Sequence, residues 1–121
     1  MASKDTNDGY DPARSTTKEG TLTEFLRKQV TSNIESVPGI GPAGRAKLSA
    51  AGVNTLFQLI GKFLSLKDEG VETIDHCDRF WYWLKQIEFP PGTRGAVVQA
   101  IAELTNIKFP GTYDAELYAQ E

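Results

Sequence analysis

The chain has 121 residues, of which 40% are hydrophobic, and a formal net charge of −3. That length accommodates one small domain with flexible ends, and the hydrophobic share is enough for a compact core. No apolar run is long enough to span a membrane, and the polar amino terminus lacks the apolar stretch of a secretory signal. The single cysteine, Cys77, cannot form an internal disulfide bond. The sequence therefore suits a reducing compartment, the nucleus or the cytoplasm.

The charges are segregated along the chain. Residues 36–67 contain four basic residues and no acidic one, whereas residues 68–88 contain six acidic residues and two basic ones. A polyanion responds to the local field over one face of a protein rather than to its total charge. The negative total therefore does not exclude a nucleic-acid partner, although such clusters also occur as ordinary solvated helix faces.

Helical periodicity predicts an all-α fold, a compact domain of five helices over residues 21–110. Residues 1–20 lack an aliphatic stripe and are predicted to form a disordered arm. Thr21 and Glu24 have the spacing of a capping box, and a single apolar helix face then runs from Leu22 to Ile34. Further helices are predicted from Pro42 to about Ala51, after a cap at Asn54, from Thr73 to about Ile87, and after the Phe89–Thr93 turn, with a loose acidic tail over residues 111–121.

The turn between the first two predicted helices reads Val-Pro-Gly-Ile-Gly-Pro over residues 37–42. Gly39 and Gly41 allow positive φ angles and a close approach of another molecule to the main chain. Ile40, which lies between them, can point inward and hold the two helices together. Both properties are typical of the helix-hairpin-helix motif, which this turn resembles.

Amide groups around Gly41, Ala43 and Gly44 then lie at the amino end of a helix, where unpaired donors and the helix dipole favour an anion. Lys47 and Arg45 can reach flanking phosphates. Phosphate contacts fix the position of a protein on DNA but carry no base information, so the pattern predicts sequence-independent binding. The alternative, in which Gly-Ile-Gly is a plain helix–helix turn, stays open.

A second turn at Pro90–Gly95 looks like a degenerate copy of the first. It also follows one predicted helix and precedes another. Amides near Thr93, Arg94 and Gly95 could hold phosphates of the opposite strand, with Arg94 adding charge. An ordinary helix connection explains the same residues equally well.

Three segments resemble the barrier-to-autointegration factor family. They are the Gly39–Gly41 turn, the LIGKFLSLK segment at residues 59–67 and the FWYWLK segment at residues 80–85, and the resemblance covers roughly residues 22–108. It implies a two-fold dimer that bridges and condenses DNA, takes part in chromatin organisation and binds LEM-domain proteins. It also assigns DNA contacts to Gly39, Ile40, Gly41, Ala43, Gly44, Lys47, Gly92, Thr93 and Arg94.

The sequence departs from that family in several places. It has a longer arm, an acidic tail, a Pro90-Pro91 pair at the second turn and a charged insertion over Asp68–Asp75. These departures are typical of a distant relative, from a protist or a virus, and they put LEM-domain binding in doubt. Because relatives are released from DNA by phosphorylation near their amino terminus, the arm offers candidate phosphorylation sites at Ser3, Thr6, Thr16 and Thr17.

His76 and Cys77 are adjacent, so on a helix their side chains point about 100° apart, and no other histidine or cysteine exists to complete a metal or nucleophile site. We therefore expect no enzyme activity, no metal and no cofactor. Trp81 and Trp83 make one helix apolar on more than one face, which favours a dimer interface, with packing in the core as the open alternative. Two other functions stay open: an accessory module of a DNA repair or recombination system, and a protein-interaction domain without nucleic-acid binding.

Overall fold

The computed structural model of the protein describes residues 9–15 and 17–118. It contains five α-helices: α1 (Glu19–Arg27), α2 (Pro42–Ala50), α3 (Leu56–Ser65), α4 (Thr73–Gln86) and α5 (Arg94–Lys108). Short 3-10 turns lie at Pro12–Arg14, Ile34–Ser36, Pro91–Thr93 and Ala115–Tyr118. No β-strand occurs among the described residues, which confirms the predicted all-α class. Within the same residues, no helix has the length and apolar character needed to cross a bilayer.

Helix α5 is the centre of the fold. Its buried residues include Val97, Val98 and Ile101, and α1, α3 and α4 all pack against it. Helix α4 makes the most extensive of these contacts, through an interior face that includes Phe80 and Leu84. This arrangement explains why α5 is apolar around most of its circumference, since a central helix is covered on several sides.

Four of the predicted helices are found close to their expected positions. Pro42 begins α2 and Thr73 begins α4, as the sequence indicated. The cap of α3 differs, because Thr55 rather than Asn54 receives the helix amide, in a reciprocal capping box with Gln58. Asn54 instead accepts a hydrogen bond from the Ser49 hydroxyl at 2.7 Å.

The first helix is shorter than predicted and begins earlier. It starts at Glu19 and ends at Arg27, so the proposed capping box of Thr21 and Glu24 is wrong, as is the extension to Ile34. The physical reason lies in residues 31–33, because threonine and asparagine side chains there bond to nearby backbone amides and compete with the helix. Ile34 is nevertheless buried, from a separate 3-10 turn.

Parts of both terminal segments pack on the core, which corrects the disordered-arm prediction for residues 9–15 and the loose-tail prediction for residues 113–118. Tyr10 is 1% exposed, and its hydroxyl lies 2.8 Å from the hydroxyl of Tyr113. The Tyr118 ring meets that of Tyr10 edge-on, with the ring centroids 5.4 Å apart. Buried aromatic rings hold these segments to the core. The lack of an aliphatic stripe, on which the prediction of disorder depended, does not register such rings.

Candidate nucleic-acid interface

The first turn is shaped by one inward side chain and one packing glycine. Ile40 is 6% exposed and points into the core, as predicted. Gly39 has a φ of +97°, and a Cβ there would lie 2.9 Å from the Cβ of Ala96 and 3.1 Å from the carbonyl oxygen of Thr93. Backbone conformation and internal packing therefore both require glycine at this position.

Gly41 is a glycine that neither of those reasons explains. It caps α2 in an extended conformation, with a φ of −107° that any residue can adopt, and no atom lies within 4 Å of the position a Cβ would take. Its side of the turn is exposed, as are Pro42 and Ala43. The fold has room for a side chain at Gly41, yet the residue has none. The main chain here is therefore open to an outside molecule.

The amides of this exposed edge are also unpaired within the described part of the chain. The first hydrogen bond of α2 runs from the amide of Arg45 to the carbonyl of Gly41 at 2.9 Å. The amides of Gly41 and Ala43 donate no backbone hydrogen bond among the residues described. These donors lie at the positive end of the helix dipole, an arrangement that suits an anion.

Gly44 has a different role from the one the sequence suggested. It is buried, and a Cβ there would lie 2.5 Å from a ring carbon of Phe89. Its small size is therefore explained by the packing of the Phe89 ring. Sequence reasoning missed Phe89, which follows α4 and fills the space behind the first turn.

The two basic residues near the first turn are paired with carboxylates. Arg45 lies 3.1 Å from Glu35, and Lys47 lies 3.5 Å from Glu88. Exposed ion pairs of this kind contribute about 0–1 kcal/mol, so a phosphate can displace either carboxylate. Glu88, two residues after the end of α4, has a φ of +64°, which a glutamate rarely adopts.

The second turn lies beside the first but is less open. Arg94 donates from Nε to the carbonyl of Phe89 at 2.8 Å, and its guanidinium lies 5.4 Å from the Trp81 ring centroid. A Cβ at Gly95 would meet the backbone of Ser15 at 3.7 Å. Arg94, which the sequence suggested as a phosphate contact, is thus occupied by its own chain. Gly92 is exposed, and Thr93 is half-buried.

His76 and Cys77 are both buried. The Nε2 of His76 lies 2.7 Å from the carbonyl oxygen of Phe63, which makes Nε2 the donor, and its ring stacks on the Phe63 ring. Burial lowers the pKa of His76 and raises the pKa of the Cys77 thiol to about 12. Both residues serve the core, and no group of three metal-ligand side chains occurs among the described residues.

The remaining predicted sites are the two tryptophans of the dimer interface and the phosphorylation sites of the arm. Trp81 is 6% exposed within its own chain, so it offers little surface to a partner, whereas Trp83 is half-buried with Lys62 above its ring. Ser3, Thr6 and Thr16 lie outside the described residues. Thr17 donates its amide to the Ser15 hydroxyl at 3.2 Å.

Comparison with known proteins identifies no relative of this chain. No protein-family model matches it, and neither the curated proteins nor the solved structures contain a significant match.

Proposed function

We propose that this chain binds the phosphate backbone of double-stranded DNA, without sequence preference, through amides at the amino end of α2. The observation that carries this proposal is Gly41, an exposed glycine for which the fold supplies neither a conformational nor a packing reason. The unpaired amides of Gly41 and Ala43 supply the donors. Phosphate oxygens are the ligands that such a helix end favours in a nucleic-acid binder.

The resemblance of roughly residues 22–108 to the barrier-to-autointegration factor family extends the proposal to a dimer that bridges two duplexes. In this proposal each subunit holds one duplex, and a two-fold axis directs the two first turns away from each other. Bridging makes this chain a DNA-organising protein of the nucleus or cytoplasm rather than an enzyme. Sedimentation of the protein with short duplexes tests it, since a bridging dimer gives two duplexes per protein pair.

The direct test is a fluorescence-anisotropy salt series with duplexes of different sequence. A phosphate binder loses affinity with a log–log slope of about −0.9 for each phosphate contacted, and its affinity barely depends on sequence. Gly41→Glu should weaken binding to every duplex at least tenfold, because the new carboxylate would lie where the phosphate binds and would repel it. The variant should stay folded, since no atom lies within 4 Å of the new Cβ.

Gly20→Glu is the matched control. Gly20 is exposed on α1, and a Cβ there also meets nothing within 4 Å. The two variants therefore introduce the same charge into equally open space, one at the first turn and one on α1. Equal affinities for the two variants would remove the first turn as the DNA site.

A second candidate function is protein interaction, favoured by a groove next to the first turn. The groove has a volume of about 440 Å³, and Phe25, Val30 and Ile40 are among its lining residues. A protein-interaction domain would show no salt-dependent DNA binding, whereas a monomeric accessory module would bind DNA without bridging it.

A further inference from the structure

The first turn is held to the core at two points. At one of them Gly39 packs against α5, where an added Cβ would lie 2.9 Å from a side-chain carbon of that helix. At the other, Gly44 packs against the ring of Phe89. The exposed Gly41 and Ala43 lie between these two contacts in the sequence. Buried neighbours therefore hold both ends of the segment that carries the amides.

Helix α2 is attached to the core by a small surface. Its buried residues are Gly44 and Leu48, which lie about one helical turn apart on the same face. The tilt of this helix therefore depends mainly on what these two residues touch. Phe89 is completely buried and contacts one of the two. Its ring thus sets the distance between the amino end of α2 and the core.

The chain after α4 is shaped to bring Phe89 against α2. Glu88 has a φ of +64°, and the Phe89 amide donates to the carbonyl of Leu84 at 2.9 Å. A left-handed residue followed by a hydrogen bond back to the helix is the Schellman arrangement, in which glycine is the usual residue. The Glu88 carboxylate also lies 3.5 Å from Lys47. Two consecutive residues after α4 therefore contact α2, and the first of them adopts an unfavourable backbone conformation to do so.

We propose that Phe89 is a positioning residue for phosphate binding, whose ring holds α2 at the tilt in which the amides of Gly41 and Ala43 bind one phosphate. A hydrogen bond weakens steeply when its donor is misaligned, so a small rotation of α2 lowers affinity without removal of any contact residue. Phe89 itself is buried and acts only through α2. The inference rests on the proposed function, because it concerns the geometry of the same first turn.

Matching substitutions at Gly44 and Phe89 test this fit. Gly44→Ala adds a methyl group at a position 2.5 and 2.7 Å from the ring atoms Cε1 and Cζ, so α2 should be pushed away from the core. Phe89→Leu removes those two atoms and leaves α2 without their support. Each single variant should bind every duplex about three- to tenfold more weakly, the equivalent of one lost hydrogen bond.

The double variant should recover the lost affinity. Leucine has no atoms that correspond to Cε1 and Cζ, and the next ring atom of Phe89, Cδ1, lies 3.4 Å from the Cβ position at Gly44. The new methyl group and the shorter side chain therefore fit each other. Gly44→Ala combined with Phe89→Leu should bind within about twofold of the unmodified protein, since substitutions at touching residues are not additive. Fluorescence anisotropy measures affinity at a temperature where circular dichroism shows every variant folded.

Phe80→Leu is the matched control. Phe80 is also completely buried, and its ring contacts the rings of Phe63 and Trp83, on α3 and α4. The same change of side chain should destabilise the fold and leave the affinity of the folded protein unchanged. The log–log salt lines of all these variants should run parallel, because none of the substitutions alters a charge. If Phe89→Leu does not fold, Phe89→Met, with a longer and flexible side chain, replaces it in the same comparison.

Single variants that bind as tightly as the unmodified protein would overturn the positioning role of Phe89. The same conclusion would follow from a double variant that binds no better than either single one, or from an equal loss of affinity in Phe80→Leu. Each of these results leaves the first turn as the DNA site, provided that Gly41→Glu still weakens binding. Weaker binding by Phe89→Leu with no effect of Gly41→Glu would overturn both proposals, because DNA would then be bound elsewhere.

Discussion

The two glycine turns of this protein share a local plan but differ in what covers them. Each joins the end of one segment to the amino end of a helix. At the first turn, Gly41 and Ala43 are exposed and their amides find no acceptor in the described chain. At the second, Arg94 bonds to Phe89 and the backbone of Ser15 lies over Gly95. The comparison teaches that a glycine-rich turn offers its main chain to a ligand only where tertiary contacts leave it uncovered.

The largest expected effect tests the packing role of Gly44. Gly44→Ala should destabilise the protein by about 1–3 kcal/mol, because its Cβ would lie 2.5 Å from the Phe89 ring. Urea unfolding measures the change. Gly20→Ala, at an exposed helical position, is the control and should stabilise by up to about 1 kcal/mol. If Gly44→Ala were as stable as the unmodified protein, Gly44 would lose its packing role and become a ligand position again.

The next effect tests whether Arg94 belongs to the fold or to the DNA site. Arg94→Ala should destabilise the protein by about 1–2 kcal/mol, through loss of the hydrogen bond to Phe89 and the contact with Trp81. Its effect on DNA affinity should be small, because the Arg94 side chain is bonded to its own chain. The opposite result, unchanged unfolding with clearly weaker binding, would make the two turns functionally equivalent and break the comparison.

Removing the carboxylate at Glu88 should raise the affinity of the first turn for DNA. Glu88→Gln releases Lys47 from its ion pair, so DNA affinity should rise by up to about fivefold, the equivalent of about 1 kcal/mol. Glu69→Gln, before the other end of α4, is the matched control. Anisotropy at low salt measures both. A gain of the same size in the control would assign the effect to net charge alone.

The smallest expected effect is a trade of binding for stability at Gly41. Gly41→Ser places a hydroxyl where it can accept from the free amides of α2, so stability should rise by a few tenths of a kcal/mol. DNA affinity should fall, since the same amides are then occupied. Thermal unfolding and anisotropy on one preparation measure the two quantities. A variant that gains stability without losing affinity would show that these amides do not hold DNA.

Local patterns in the sequence were enough to predict the all-α class and the positions of α2 to α5. Helix starts and turns are set by residues close to them in sequence, as at Pro42, Thr73 and the Pro-Pro-Gly segment at residues 90–92. Their effects can therefore be predicted without knowledge of the fold. The inward position of Ile40 follows for the same reason. The end of helix α1 was harder to predict, because side chains at residues 31–33 form hydrogen bonds to nearby amides that compete with the helix. Hydrophobic periodicity does not detect such bonds.

By itself, the sequence determined the class of fold, most of its helices and a first turn with an inward isoleucine, because each depends on interactions between near neighbours. Only the tertiary structure decided that Gly44 faces Phe89, that Arg94 turns back to its own chain and that Ser15 covers Gly95. Those contacts join residues brought together by the packing of α2, α4, α5 and the segment 9–15, and the spacing of residues along one chain carries no record of them.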